Sequence, residues 1–132
     1  DAVFIAPNAK IKYPFSDLGL APEVGSSFLL FQSLGYQQAA QLLFESQPID
    51  GNRYHELGLA KYVGEDFFDE ANKYAHMLKE QSLSSIIETK AILKSFMQED
   101  LAKSRSKETA AMKKLFGSED NIKAVEKFFA KK

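Results

Sequence analysis

The sequence predicts an α/β chain that is mostly helical, opened by two short strands and reading as part of a larger domain. Three observations carry this. A compact apolar run at residues 3–6 is followed by alternation up to Phe15. A Pro/Gly-rich break covers residues 17–25, and helical periodicity occupies nearly everything after it.

Val3-Phe4-Ile5-Ala6 ends at the turn signal Pro7-Asn8, and Ile11, Tyr13 and Phe15 then alternate with Lys10, Lys12 and Pro14, the period of a half-buried strand. Two glycines and a proline within residues 17–25 disfavour any continuous element there. Ser26 or Ser27 is placed to cap a helix that stops at Gly35, and a second helical segment runs over 36–45. A turn at 48–51 leads to a short helix closed by Gly58, and residues 60–63 form a candidate short strand. Asp66 is expected to cap the clearest helix, with Phe67, Phe68, Ala71, Tyr74, Ala75 and Leu78 on one face. Further helices are expected at about 84–97, 99–116 and 118–131, the last with Ile122, Val125 and Phe129 in one stripe. A two-stranded element is marginal alone, and the apolar run at 3–6 reads as an interior strand whose neighbours lie outside this sequence. No internal repeat or low-complexity linker is present.

Composition narrows the function. Hydrophobic residues make up 45% of the 132, enough for a core and against disorder. Without cysteine there is neither a disulfide framework nor thiolate chemistry, which fits a reducing compartment. No apolar run reaches transmembrane length, so membrane insertion is not expected. The chain opens on Asp1 rather than Met and without a signal-peptide layout, as expected of a processed or excised polypeptide. The net charge of −1 is unevenly spread: residues 1–102 hold 8 Lys/Arg against 14 Asp/Glu, and residues 103–132 hold 9 against 4. The basic end is either a solvated helix face or a landing site for phosphate groups. Nucleic-acid binding is disfavoured, because Phe116, Phe128 and Phe129 fall at helical core spacing. His55 and His76 stand 21 residues apart without a carboxylate cluster, so no metal site is expected. Neither a phosphate-cradling glycine loop nor a nucleophile elbow occurs.

The segment with chemical promise is 13–27. Glu23 sits in a Pro/Gly-shaped turn between an apolar strand and an apolar helix, where Phe15, Leu18, Leu20, Phe28 and Leu29 could desolvate it and favour proton transfer. The plainer alternative is a helix-start carboxylate favoured by the helix dipole, with no chemistry.

Pro14 followed by Leu18-Gly19-Leu20-Ala21-Pro22-Glu23-Val24-Gly25-Ser26-Ser27 resembles the turn after the central helix in the crotonase (enoyl-CoA hydratase/isomerase) superfamily. Later stretches are similar in order: 28–35, 38–43, 55–63 and the basic, aromatic 125–132. The likeness is specific over residues 1–63 and architectural beyond them. It implies a crotonase-like ββα spiral of which this is the C-terminal half, with residues 1–64 in the spiral core and 65–132 a helical trimerisation region.

Within the superfamily, hydratases carry a second glutamate after the strand's proline; Phe15 stands there, which disfavours hydration through a carboxylate pair. The sequence is most similar to the peroxisomal type of 3,2-trans-enoyl-CoA isomerase, with an aromatic at that position and one glutamate, Glu23. The resemblance implies Glu23 as the acid/base, with Phe15, Leu18, Phe128 and Lys131 contacting an acyl-CoA substrate in fatty-acid β-oxidation. It implies no cofactor apart from the coenzyme A of the substrate itself. It further implies a trimer or dimer of trimers, and oxyanion donors supplied by an N-terminal half without which the polypeptide is inactive. A bacterial cytoplasmic location follows, with the peroxisomal or mitochondrial matrix as the alternative. Val24 departs from the small residue usual after the glutamate. Two other readings stay open: a non-catalytic acyl-CoA-binding or interaction module on the same fold, and an atypical enoyl-CoA hydratase.

Overall fold

The computed structural model describes residues 1–130. In chain order it contains strand β1 (Phe4–Ile5), a 3₁₀ turn (Ser16–Leu18), helix α1 (Ser26–Glu45), α2 (Gly51–Glu56), strand β2 (Tyr62–Val63), α3 (Phe67–Lys79), α4 (Leu83–Ser95), α5 (Gln98–Leu115) and α6 (Glu119–Ala130). The mostly helical make-up with short strands is the one the sequence predicts. Two units emerge, each assembled from separate stretches: residues 1–11 with 49–99, and residues 12–48 with the described residues from 100 on.

In the first unit β1 and β2 pair in parallel, with Phe4 opposite Tyr62 and Ile5 opposite Val63. The rings of Tyr62 and Tyr74 (α3) stand 6.3 and 5.6 Å from that of Phe4, so α3 covers the strands through aromatic contact. The alternating stretch after Lys10 contributes a single antiparallel bridge, Ile11 with Ile49, whose two N–H···O bonds are both 2.9 Å. Pro14 has no amide to extend that ladder, and the chain turns into the 3₁₀ segment instead. Asp50 caps α2 by accepting the Arg53 amide at 2.8 Å. At the next residue only glycine fits, because a Cβ on Gly51 would lie 2.0 Å from the Ala6 carbonyl oxygen.

Asp66 departs from expectation. It occupies the N-cap of α3 but makes no side-chain cap bond. Its Oδ1 instead accepts the Tyr62 hydroxyl at 2.5 Å, and this bond, reinforced by the aspartate's charge, pushes the Tyr62 pKa up to about 12. Ser82 does cap α4, accepting from the Ser85 amide. The Nδ1 of His55 lies 2.9 Å from the Ala60 carbonyl, a link that ties the end of α2 to the approach to β2.

In the second unit α1 is interrupted at Gly35 (φ 73°, ψ 171°), the residue at which the sequence stops a helix. The 3₁₀ turn packs on α6 and α1. Asn121, buried at the start of α6, donates through Nδ2 to the Leu18 carbonyl at 2.6 Å and accepts the Gly117 amide at 2.9 Å. Gly19 (φ 63°) lets the two segments meet, since a Cβ there would approach Asn121 Cα to 2.9 Å. After α1, Ser46 is fully buried and donates to the Tyr13 carbonyl at 2.8 Å.

Among the described residues the buried apolar side chains are Leu30, Ala39 and Ala60, a small number for 130 residues. Leu83, Ile87, Ile92, Leu93 and Phe96, on and just after α4, are all exposed. No described helix is both long and apolar enough to cross a membrane.

Candidate functional site

The site is built around the turn that carries Glu23. Val24 adopts φ 61° and Gly25 φ 83°, two consecutive left-handed residues. Glycine tolerates this geometry, but a β-branched valine does so only at a cost on the order of 1–3 kcal/mol. Gly25 is also required sterically, because a Cβ there would stand 2.4 Å from Leu101 Cδ1 of α5.

Neither serine caps α1 in the expected way. Gly25 is the N-cap residue, and the hydroxyl oxygen of Ser26 is buried without a partner. The cap comes from α5. Glu108, buried within a basic stretch, accepts the Gly25 amide on Oε2 at 2.7 Å and the Ser27 amide on Oε1 at 3.0 Å. The Ser27 hydroxyl donates to the same Oε1, and Ser104 Oγ stands 2.9 Å from Ser27 Oγ. A carboxylate here satisfies amides that helix geometry leaves open and meets the positive end of the α1 dipole. Burial pushes the Glu108 carboxyl upward in pKa. The bonds from the Ser27 hydroxyl, the Gly25 and Ser27 amides and Ser104 outweigh that effect and hold it below the usual range.

Beside this turn lies an open cavity of about 300 Å³ lined by Glu23, Val24, Arg105, Glu108, Thr109, Met112 and Lys113. The Glu23 side chain is exposed and makes no hydrogen bond or ion pair among the described residues. The surroundings expected for it were Phe15, Leu18, Leu20, Phe28 and Leu29; the walls are instead one face of α5, and they mix methionine and valine with two cations. None of those apolar residues lines the cavity. The Phe15 carbonyl accepts the Leu20 amide at 2.8 Å, and Leu18 belongs to the 3₁₀ turn packed on α6. Phe128 stacks edge-on against Phe129 at 5.6 Å, with Lys12 Nζ 5.9 Å above its ring. Lys131 lies outside the described residues. Of the expected site residues, then, the cavity holds Glu23, while Phe15, Leu18 and Phe128 lie off it.

Glu108, Arg105 and Lys113 were not anticipated as site residues. The available signal was Glu108 itself, a carboxylate set among Lys103, Arg105, Lys107, Lys113 and Lys114.

The whole chain, residues 1–132, matches the family described as enoyl-CoA hydratase/isomerase. YhaR of Bacillus subtilis (strain 168) is 27% identical over 134 residues, covering 100% of this chain and 52% of that protein. The enoyl-CoA hydratase/isomerase structure from Pseudoalteromonas atlantica T6c superposes with a TM-score of 0.90 at 25% identity, over 100% of this chain and 54% of the other. OdaA of Pseudomonas aeruginosa gives a TM-score of 0.88 at 32% identity, over 97% of this chain and 53% of its own. The fold is crotonase-like, and the chain belongs to the enoyl-CoA hydratase/isomerase family. It spans about half the length of the relatives it matches.

Proposed function

We propose that this chain is the C-terminal, acid/base-bearing half of an isomerase that converts 3-enoyl-CoA to 2-trans-enoyl-CoA. One observation carries the reading: of the two carboxylates on the cavity wall, Glu108 accepts from four donors, while the Glu23 carboxylate makes no hydrogen bond or ion pair among the described residues. A hydratase needs a second carboxylate to hold and activate water. By the resemblance, hydratases carry it at the position of Phe15, and both oxygens of Glu108 are already bonded to the turn at the start of α1. Isomerisation needs only one.

In the proposed step the Glu23 carboxylate takes a proton from C2 of the substrate. The C2–H electron pair moves into the thioester to give a dienolate. The carboxylic acid so formed returns the proton at C4, while the double bond settles between C2 and C3. No water enters and none leaves. The developing oxyanion needs backbone N–H donors, the largest electrostatic contribution in such chemistry. These are assigned to the N-terminal half of the fold that the resemblance implies. The sparse buried core and the exposed apolar residues of α4 support a fold completed by further polypeptide, whether that segment or neighbouring subunits of a trimer.

The test is product identity with the full-length protein. Given 3-enoyl-CoA it should yield the conjugated 2-enoyl thioester, seen by its absorbance; given 2-enoyl-CoA it should yield little 3-hydroxyacyl-CoA. Hydration as the faster reaction would refute the proposal, and binding without either reaction would favour a non-catalytic module.

A further inference from the structure

Glu108 has no part in the proton transfer, yet it is the most heavily bonded side chain of the site. We infer that Glu108 is a positioning residue for Glu23: it pins the Gly25 and Ser27 amides, keeps the Val24–Gly25 step left-handed, and so presents the Glu23 carboxylate to the cavity.

The inference deepens the proposed function and rests on Glu23 being the acid/base. Valine is among the residues least suited to φ 61°, so local preference pulls this turn toward another conformation. Something must oppose that pull. The Gly25 amide belongs to the peptide that joins Val24 to Gly25, so its 2.7 Å bond to Oε2 fixes the plane of that peptide and with it the Val24 backbone. Oε1 holds the Ser27 amide two residues on, at 3.0 Å. With its two oxygens bonded to different amides, and Ser27 Oγ on Oε1 as well, the carboxylate cannot rotate without breaking at least one bond. At 6% exposure it has little water to compete. Glu23 is separated from the pinned peptide by Val24 alone, so a change in the Val24 dihedral angles swings its side chain directly.

The experiment compares the full-length wild type with Glu108→Gln, Ser27→Ala and Glu23→Gln, by steady-state kinetics on 3-enoyl-CoA and by hydrogen exchange at the Gly25 and Ser27 amides. Glu108→Gln keeps the size but loses one acceptor. It should lower kcat about 10- to 100-fold, as expected for a misplaced reacting group, with KM little changed and amide protection weakened at Gly25 and Ser27, since one carbonyl oxygen does not hold both. Ser27→Ala removes only the hydroxyl and should move kcat and protection the same way by less, which keeps the test open if Glu108→Gln folds poorly. Unchanged protection in both variants overturns the pin. Lost protection with unchanged kcat overturns the positioning role. If Glu23→Gln keeps full turnover, the acid/base reading fails and the positioning role fails with it, whereas the exchange result still decides whether Glu108 holds the turn.

Discussion

The Gly25 amide donates to Glu108 Oε2 at 2.7 Å, although 83 residues separate the two in sequence. This bond makes the start of α1 depend on an ionised side chain from α5, and a stability consequence follows. The folded pKa of Glu108 lies below its ordinary value, so its contribution is fully present above the unfolded glutamate pKa of about 4.3. It is lost as pH falls through the folded value. Urea unfolding of wild type and Glu108→Gln as a function of pH should therefore show a gap that is constant near neutrality and closes on acidification. A gap independent of pH would contradict the ionised cap.

Val24 stores strain at little packing benefit, since its side chain is 71% exposed and its φ is 61°. Val24→Gly should stabilise the protein by about 1 kcal/mol in chemical denaturation, the gain from relieving a left-handed β-branched residue less the added freedom of the unfolded chain. Destabilisation would mean that the valine side chain holds something the geometry does not reveal.

Asn121 joins α6 to the 3₁₀ turn through the Leu18 carbonyl and to its own helix start through the Gly117 amide. Asn121→Ala leaves both partners without a bond in a part-buried setting and should cost about 1–3 kcal/mol. Gly19→Ala should also destabilise, because its Cβ would meet the Asn121 backbone at 2.9 Å and its φ is 63°. Thermal unfolding of both variants checks this, and wild-type stability in either would contradict the assigned contacts.

Tyr62 should ionise with a midpoint of about 12 in an ultraviolet titration, because its hydroxyl donates to Asp66. Asp66→Asn should return it toward the ordinary tyrosine value of about 10. The direction of linkage is set by the protonated form. The bond's contribution is present below the unfolded pKa and fades as pH rises through the folded one. Titration at the ordinary value in the wild type would contradict the bond.

Local signals in the sequence located most elements, because they rest on neighbours. Gly35 breaks α1 where glycine stops a helix, and the periodic runs beginning near Phe67, Leu83, Gln98 and Glu119 are all helices. Long-range partners were not legible. Ser26 and Ser27 looked like caps, yet the cap is Glu108, and nothing in the local pattern reveals a carboxylate arriving from another helix. Asp66 looked like a cap too, and a tyrosine four residues earlier took its oxygen. The motif singles out Glu23, which lines the cavity, but the walls at Arg105, Thr109, Met112 and Lys113 come from a stretch that reads locally as a basic helix. Its facing toward the turn depends on packing rather than on periodicity.

The most direct measurement is the turnover of full-length Glu23→Gln on 3-enoyl-CoA relative to wild type, with folding checked by circular dichroism. Glutamine keeps the shape and cannot carry the proton, so kcat should fall by about 10²- to 10⁴-fold, the usual share of a positioned acid/base. Turnover within a few-fold of wild type would show that another group moves the hydrogen from C2 to C4.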